Sequence, residues 1–145
     1  MSLQDWLTNS WLVEHRTIRD EIRSLLELAD RDLRDARAKG LSVDWRHNIA
    51  YNAALQLAQA ALAACGYRAT RDQQHLRTIR SLELTVGVDS KAMRRLDAAR
   101  KRRNRAAYDL AGIISEGEAD EVERCAIELR ENIEQWLRAE RPELL

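Results

Sequence analysis

Apolar residues recur every three to four positions along most of the chain, the spacing of helices that bury one face. Ile18, Ile22, Leu25, Ala29, Leu33 and Ala36 form one such stripe. Ile79, Leu82 and Val86 form another, and Val122, Ala126, Leu129, Ile133 and Trp136 a third. Gly40, Gly66 and Gly87 each follow a periodic segment, where a left-handed residue ends a helix. Pro142 closes the last one. Thr70-x-x-Gln73 and Ser115-x-x-Glu118 have capping-box spacing, and Asp89 or Ser90 can cap the segment after Gly87. The pattern predicts five helices, at 17–38, 44–65, 71–86, 90–108 and 117–140, after a short helical or irregular lead at 3–14. No strand-like alternation of useful length appears. Trp6, Trp11 and Leu12 of the lead are expected to cover an open face of the bundle or to join a partner.

The 44–65 helix is different, being apolar nearly all round and rich in alanine. Small side chains permit close helix approach, so it is expected at the centre of the bundle. The 21 residues from His47 to Tyr67, which include most of this helix, have no charged side chain, but Asn48, Asn52, Gln56 and Gln59 are costly in hydrocarbon. The central helix of a soluble bundle, rather than a membrane span, is therefore expected, with no membrane partner. Those four carboxamides either line a cleft or face water. Composition agrees with an all-α chain: 45% of the 145 residues are hydrophobic, dominated by Leu and Ala, and Phe is absent. One domain spanning 1–145 is expected, with its core at about 17–140. Cys65 and Cys125 lie in helical apolar surroundings without CxxC or His pairing, which suggests buried thiols in a reducing compartment. The opening MSLQDWLTNS lacks the basic and apolar runs of a signal peptide, so the expected location is cytoplasmic.

Charge changes the picture. The 24 basic and 24 acidic residues cancel, yet 91–105 holds eight basic side chains against Asp97 alone, a net +7. Residues 116–134 hold eight acids against Arg124 and Arg130, a net −6. Either the two helices compensate each other, or the basic one offers a surface to phosphates. Leu96, Ala99, Ala106 and Leu110 define its inward stripe, and Arg103 falls on it. An arginine there needs a structural carboxylate or carbonyl, or a ligand anion. Asn104 and Tyr108 share a second face with Arg100. His75 lies on the stripe of Ile79 at the start of its helix, the usual place of a satisfied core histidine or of a helix-end hydrogen-bonder. The three histidines are too scattered for a metal site, and no phosphate loop or catalytic Cys–His spacing occurs.

The run AARKRRNRAAYD at 98–109 resembles the motif of HEPN domains, an arginine followed after four to six residues by histidine and often opening Arg-Asn. Here Arg103-Asn104 opens the motif and Tyr108 stands in the histidine position. YNAALQLAQAALAACGYR at 51–68 and HLRTIRSLELTVG at 75–87 are similar to successive helices of small bacterial HEPN proteins. The resemblance implies a five-helix up-and-down bundle and a homodimer whose two motifs line one cleft. It implies an RNA- or nucleotide-directed protein: a metal-independent endoribonuclease of toxin or defence type, or a catalytically inactive interaction module. Partners of that kind are a cognate antitoxin or a nucleotidyltransferase protein. Carried over, Arg103 holds the scissile phosphate, Asn104 orients the site, and Arg100, Lys101, Arg102 and Arg105 gather phosphate around it. Asn48, Asn52 and His75 are the candidate polar residues of the cleft. No cofactor or metal is implied.

Tyr108 departs from the motif at the residue best suited to proton transfer, since a phenol with pKa near ~10 is a poor base at neutrality. Restoring imidazole is the informative change. With EDTA present, Tyr108→His should create or raise RNA cleavage, general acid–base help being worth ~10²–10⁴-fold. Arg103→Ala in that background should abolish the gain while circular dichroism shows the helices intact. Cleavage by neither protein would shift the weight to the interaction module.

Overall fold

The computed structural model of the chain describes residues 1–108 and 112–145, leaving out the side chains of 107 and 108. The Tyr108 side chain and Leu110 of the expected inward stripe therefore lie outside the described residues. Six α-helices and one short strand pair make up the described chain. They run α1 (Leu3–Thr8), β1 (Leu12–Glu14), α2 (Arg19–Asp35), α3 (Val43–Ala64), β2 (Tyr67–Ala69), α4 (Gln74–Arg80), α5 (Ser90–Tyr108) and α6 (Glu116–Glu140). Single 3₁₀ turns follow α4 at Ser81–Glu83 and α6 at Pro142–Leu144. The chain is of the all-α class, a helical bundle, and no described helix is long and apolar enough to cross a membrane.

Helix α3 is the centre. Ala50, Ala53, Ala54, Ala58, Ala60, Ala61 and Ala64 are fully buried, together with Tyr51 and Leu57. Its alanines let α2 and α6 pack closely along it, while α4 and α5 touch it further round. Helix α2 supplies Ile22, Leu26 and Ala29, and α6 supplies Val122, Ala126, Leu129, Ile133 and Leu137. The predicted stripes shift slightly. Ile18 is 62% exposed, because it is the N-cap of α2 rather than part of its inner face. Trp136 is only partly buried, and Leu137 takes the core position.

Boundaries follow the chemistry that marks them. Gly40, Gly66 and Gly87 all have positive φ. The Ser115–Glu118 capping box forms, and Asp89 accepts from the Ala92 amide at 2.8 Å. The Thr70–Gln73 box does not form. The Thr70 hydroxyl donates instead to the Ser10 and Trp11 carbonyls, and Gln73 is a left-handed N-cap with no side-chain bond. The helix expected over 71–86 thus shrinks to Gln74–Arg80. Ser81 then donates back to the Thr78 carbonyl at 2.6 Å, where the α-helix gives way to the 3₁₀ turn.

The chain also carries one short strand pair, which leaves the all-α class unchanged. β1 and β2 pair antiparallel, Leu12 opposite Ala69, in segments too short for alternation to be seen. Gly66, at φ +94°, makes the left-handed reversal from α3 into β2, and its carbonyl accepts from the His15 amide at 2.8 Å. The lead is thereby stitched to the bundle. Trp6 and Leu12 form a small second core with Leu62 and Ala69. Trp11 meets Trp6 edge to face, 5.7 Å between centroids, and carries the Arg77 guanidinium of α4 4.6 Å above its ring.

If close approach at the alanine face of α3 sets the packing, a larger side chain there has no room. Ala58→Leu should lower the urea unfolding free energy by about 1–3 kcal/mol despite adding apolar area.

Candidate functional site

Met93, Leu96 and Ala99 bury the first half of α5. One turn further on, the same stripe leaves the core and brings half-buried Arg103 to an open groove between α2, α3 and α5. The groove encloses about 430 Å³ and is lined by Asp32, Trp45, Asn48, Ile49, Asn52 and Arg103. Among the described residues no ion pair engages Arg103. Asp32 is only 5% exposed, and its carboxylate is well held. Oδ1 accepts from Arg31 Nε and Nη2 at 3.2 and 3.0 Å; Oδ2 accepts from Gln56 Nε2 at 3.1 Å and Asn52 Nδ2 at 3.4 Å. Trp45, in the first turn of α3, is 59% exposed at the rim. A guanidinium, two carboxamides and a bare indole face thus surround one cleft. That set can hold a phosphate and stack or edge-bond a base.

Tyr51 of α3 is fully buried and its hydroxyl has no hydrogen-bond partner among the described residues. Burial pushes its pKa up to about 12, against the pull of the Arg103 and Arg100 charges. It stays protonated and is no base.

Arg100 and Asn104 face the other side of α5, as their spacing predicts. With Arg71, Gln73, Gln74 and His75 they line a second groove of about 510 Å³. His75 is exposed there rather than a core residue. Partial desolvation, then the Arg103 and Arg100 charges, hold its pKa below the ordinary histidine value, so it is neutral at pH 7. The expected polar cleft is therefore divided: Asn48 and Asn52 lie with Arg103, whereas His75 lies with Arg100 and Asn104. Gln56 serves Asp32, and Gln59 is exposed in a third cavity with His15 and Glu21.

The other basic residues of α5 are dispersed. Arg102 turns to α3 and α6, its Nε donating to His47 Nε2 at 3.3 Å and its Nη1 lying 3.5 Å from Glu118. Arg95 reaches Glu121 at 4.0 Å. Arg100 and Lys101 both pair with Asp97, at 3.1 and 3.6 Å. Lys101 and Arg105 are exposed. The acidic helix is answered from several elements, by Arg37 on Glu123 at 2.9 Å and by Arg46 on Asp120, besides these α5 arginines. Compensation across the bundle is real, and it takes Arg102 away from the phosphate-gathering set expected of it.

Two groove residues escaped sequence reasoning. Asp32 follows Ala29 by three on the α2 stripe, so a carboxylate among apolar positions was the available signal. Trp45 gave none, because an indole in an apolar helix reads as core. No protein-family model matches the chain, and no curated protein matches it significantly.

His47 joins the grooves to the scaffold. It is fully buried, accepts from Arg102 at Nε2, and through Nδ1–H donates to Asn48 Oδ1 at 3.1 Å. Accepting from Arg102 requires the neutral ring, and burial depresses its pKa; Arg102 acts the same way, while Asn48, Glu118 and Asp44 oppose it. Stability from this neutral ring is complete above the unfolded value of about 6.5 and is lost as pH falls through the lower folded value. His47→Gln should therefore flatten the fall of the urea midpoint between about pH 7 and pH 5.

Proposed function

We propose that the chain is a HEPN-type, RNA- or nucleotide-directed protein whose working surface is the groove around Arg103. The observation that carries this reading is the company Arg103 keeps. A half-buried guanidinium on the inward stripe opens onto a cleft with Asn48, Asn52 and an exposed indole, beside a carboxylate already saturated by other donors. In this reading Arg103 takes the phosphate, Trp45 stacks one base, and Asn48 and Asn52 bond its edge or sugar. Exposed Lys101 and Arg105 raise the local concentration of a polyanion. The Arg103-Asn104 opening of the resembled motif lies on this helix, and a homodimer would set two such grooves about one axis.

Cleavage in this reading follows the metal-independent route of the family: Arg103 stabilises the charge that develops on the scissile phosphate. The proton-transfer position is held by tyrosine, and the neutral imidazole of His75 lies in the neighbouring groove with Asn104. A second reading, an inactive interaction module of antitoxin or defence type, is favoured by that tyrosine. The two readings differ in partner as well as in turnover: the module cleaves nothing and binds a protein through its basic or acidic helix, or serves as a structural dimer.

Binding to a fluorescent single-stranded RNA separates the roles. Trp45→Ala should weaken affinity by about 1–3 kcal/mol, the value of one stacked base, with the salt dependence unchanged. Arg103→Ala should weaken affinity and also reduce the salt slope by about one counterion. Unchanged affinity in both variants would refute the RNA-facing assignment.

A further inference from the structure

A third cavity, of about 450 Å³, opens beside α4. Its floor is apolar, made by Leu25 of α2 and Leu55, Leu62 and Ala63 of α3. Its polar wall is built around one carboxylate. Glu21 accepts from Thr17 Oγ1 at 2.6 Å and from His15 Nε2 at 2.8 and 3.0 Å. His15 is itself fixed, because its backbone amide donates to Gly66 across the strand pair. Burial would raise the Glu21 pKa, but the Thr17 and His15 bonds outweigh it, so the group is a carboxylate with its pKa below the usual range. The carboxamides of Gln59 and Gln74 complete the rim. An apolar floor with acceptors and donors along one edge is what a flat heterocycle fills: faces on leucine, edge on amide and carboxylate.

Gln74 and His75 line this cavity and also the groove of Arg71, Arg100 and Asn104. The two spaces meet at the first turn of α4. That corner is held by Gln73, a non-glycine residue in the left-handed region at φ +50°, a conformation that costs energy and tends to mark functional corners. On one side of His75 lies a pocket for a ring, and on the other two guanidinium groups.

We propose that the joined cavities form a nucleotide site, taking a base in the His15–Glu21 pocket and its phosphate on Arg71 and Arg100. The proposal rests on the preceding reading for its choice of nucleic-acid chemistry, and it uses a different face of α5. It narrows the ligand to a nucleoside 5′-monophosphate unit, whether free or at the end of an RNA. His75, neutral between base and phosphate, donates or accepts one hydrogen bond without competing for the anion. The lead, outside the five expected helices, thereby acquires a purpose: β1 carries His15 into the pocket.

Amide chemical-shift mapping of the full chain tests this with GMP, AMP, guanosine and inorganic phosphate as probes. A mononucleotide should move amides at 15–21, 59, 67–69 and 71–76 together, and bind at least about tenfold tighter than the nucleoside, a single charge-assisted contact's worth. Inorganic phosphate should move only the Arg71 and Arg100 end. A short RNA bearing a 5′-phosphate that competes with GMP identifies a chain end as the source; competition by free nucleotide alone identifies the small molecule. Gln59→Trp, at an exposed position, should fill the base pocket and abolish mononucleotide binding, with RNA affinity through Arg103 and Trp45 unchanged. Shifts confined to other surfaces, equal affinity for nucleoside and nucleotide, or full binding by Gln59→Trp would each overturn the site. The two readings fail separately. RNA binding indifferent to Arg103→Ala and Trp45→Ala refutes the α2–α3–α5 groove while an intact mononucleotide map upholds this one. RNA binding lost in those variants, with no mononucleotide map, refutes this site alone.

Discussion

The close packing of alanine along α3 is the constraint on which everything else depends. A helix whose buried face is mostly methyl groups contributes little apolar area of its own, yet it lets neighbouring backbones approach, and interior density rewards that approach. Because α2 and α6 both settle on this face, the remaining arc of α3 is left for α4 and α5. On the side of α3 toward α2, Asn52 and Gln56 both donate to Asp32, and Asn48 and Asn52 line the cleft that Arg103 of α5 completes. The polar cleft opens where α2, α3 and α5 come together.

Arg103 depends on the same geometry. Leu96 and Ala99 are buried against the bundle, but one turn later the neighbouring helices leave a gap instead of a wall. A leucine there would be half wasted, whereas a guanidinium can lay its stem on Ile49 and keep its head in the opening. Asp32 lies across the gap but is already shared among Arg31, Asn52 and Gln56. The carboxylate therefore tunes the cleft's potential without closing it, and the cleft keeps capacity for an anion.

Much of the fold was legible, and the reasons are specific. The 3.6-residue stripes located α2, α5 and α6 because each buries one long face, an alanine-rich apolar run located α3, and Gly40, Gly66 and Gly87 take the left-handed geometry expected of them. Short elements were not legible. A three-residue strand has no period to detect, and Thr70 looked like a cap because its true partners, the Ser10 and Trp11 carbonyls, lie about sixty positions away in sequence. Contacts of that range leave no local trace. The site divides in the same manner. Arg103, Asn104 and Arg100 could be assigned to faces by helix geometry alone. That Arg102 would spend its charge on His47 and Glu118 depends on how α5 rotates against α3 and α6, which no spacing encodes. His75 misled for a related reason: it continues an apolar stripe in sequence, but α4 starts late, and its first turn projects into the open space between two grooves.

The charge segregation now has a physical meaning different from the one its totals suggest. A +7 segment facing a −6 segment reads as two helices bound by charge, but only Arg95 and Arg102 cross from α5 to α6 among the described residues, at 4.0 and 3.5 Å. Such exposed pairs contribute little to stability, about 0–1 kcal/mol each. The acids of α6 are spread instead over arginines from the α2–α3 linker, α3 and α5, which leaves the far side of α5 positive on balance. Although the whole chain is neutral, the local field around Arg100, Lys101, Arg103 and Arg105 persists over about a Debye length, ~8–10 Å. Arg100 lines one of the grooves flanking α5 and Arg103 the other. One positive helix, held off-centre by an alanine-lined neighbour, supplies the potential for both.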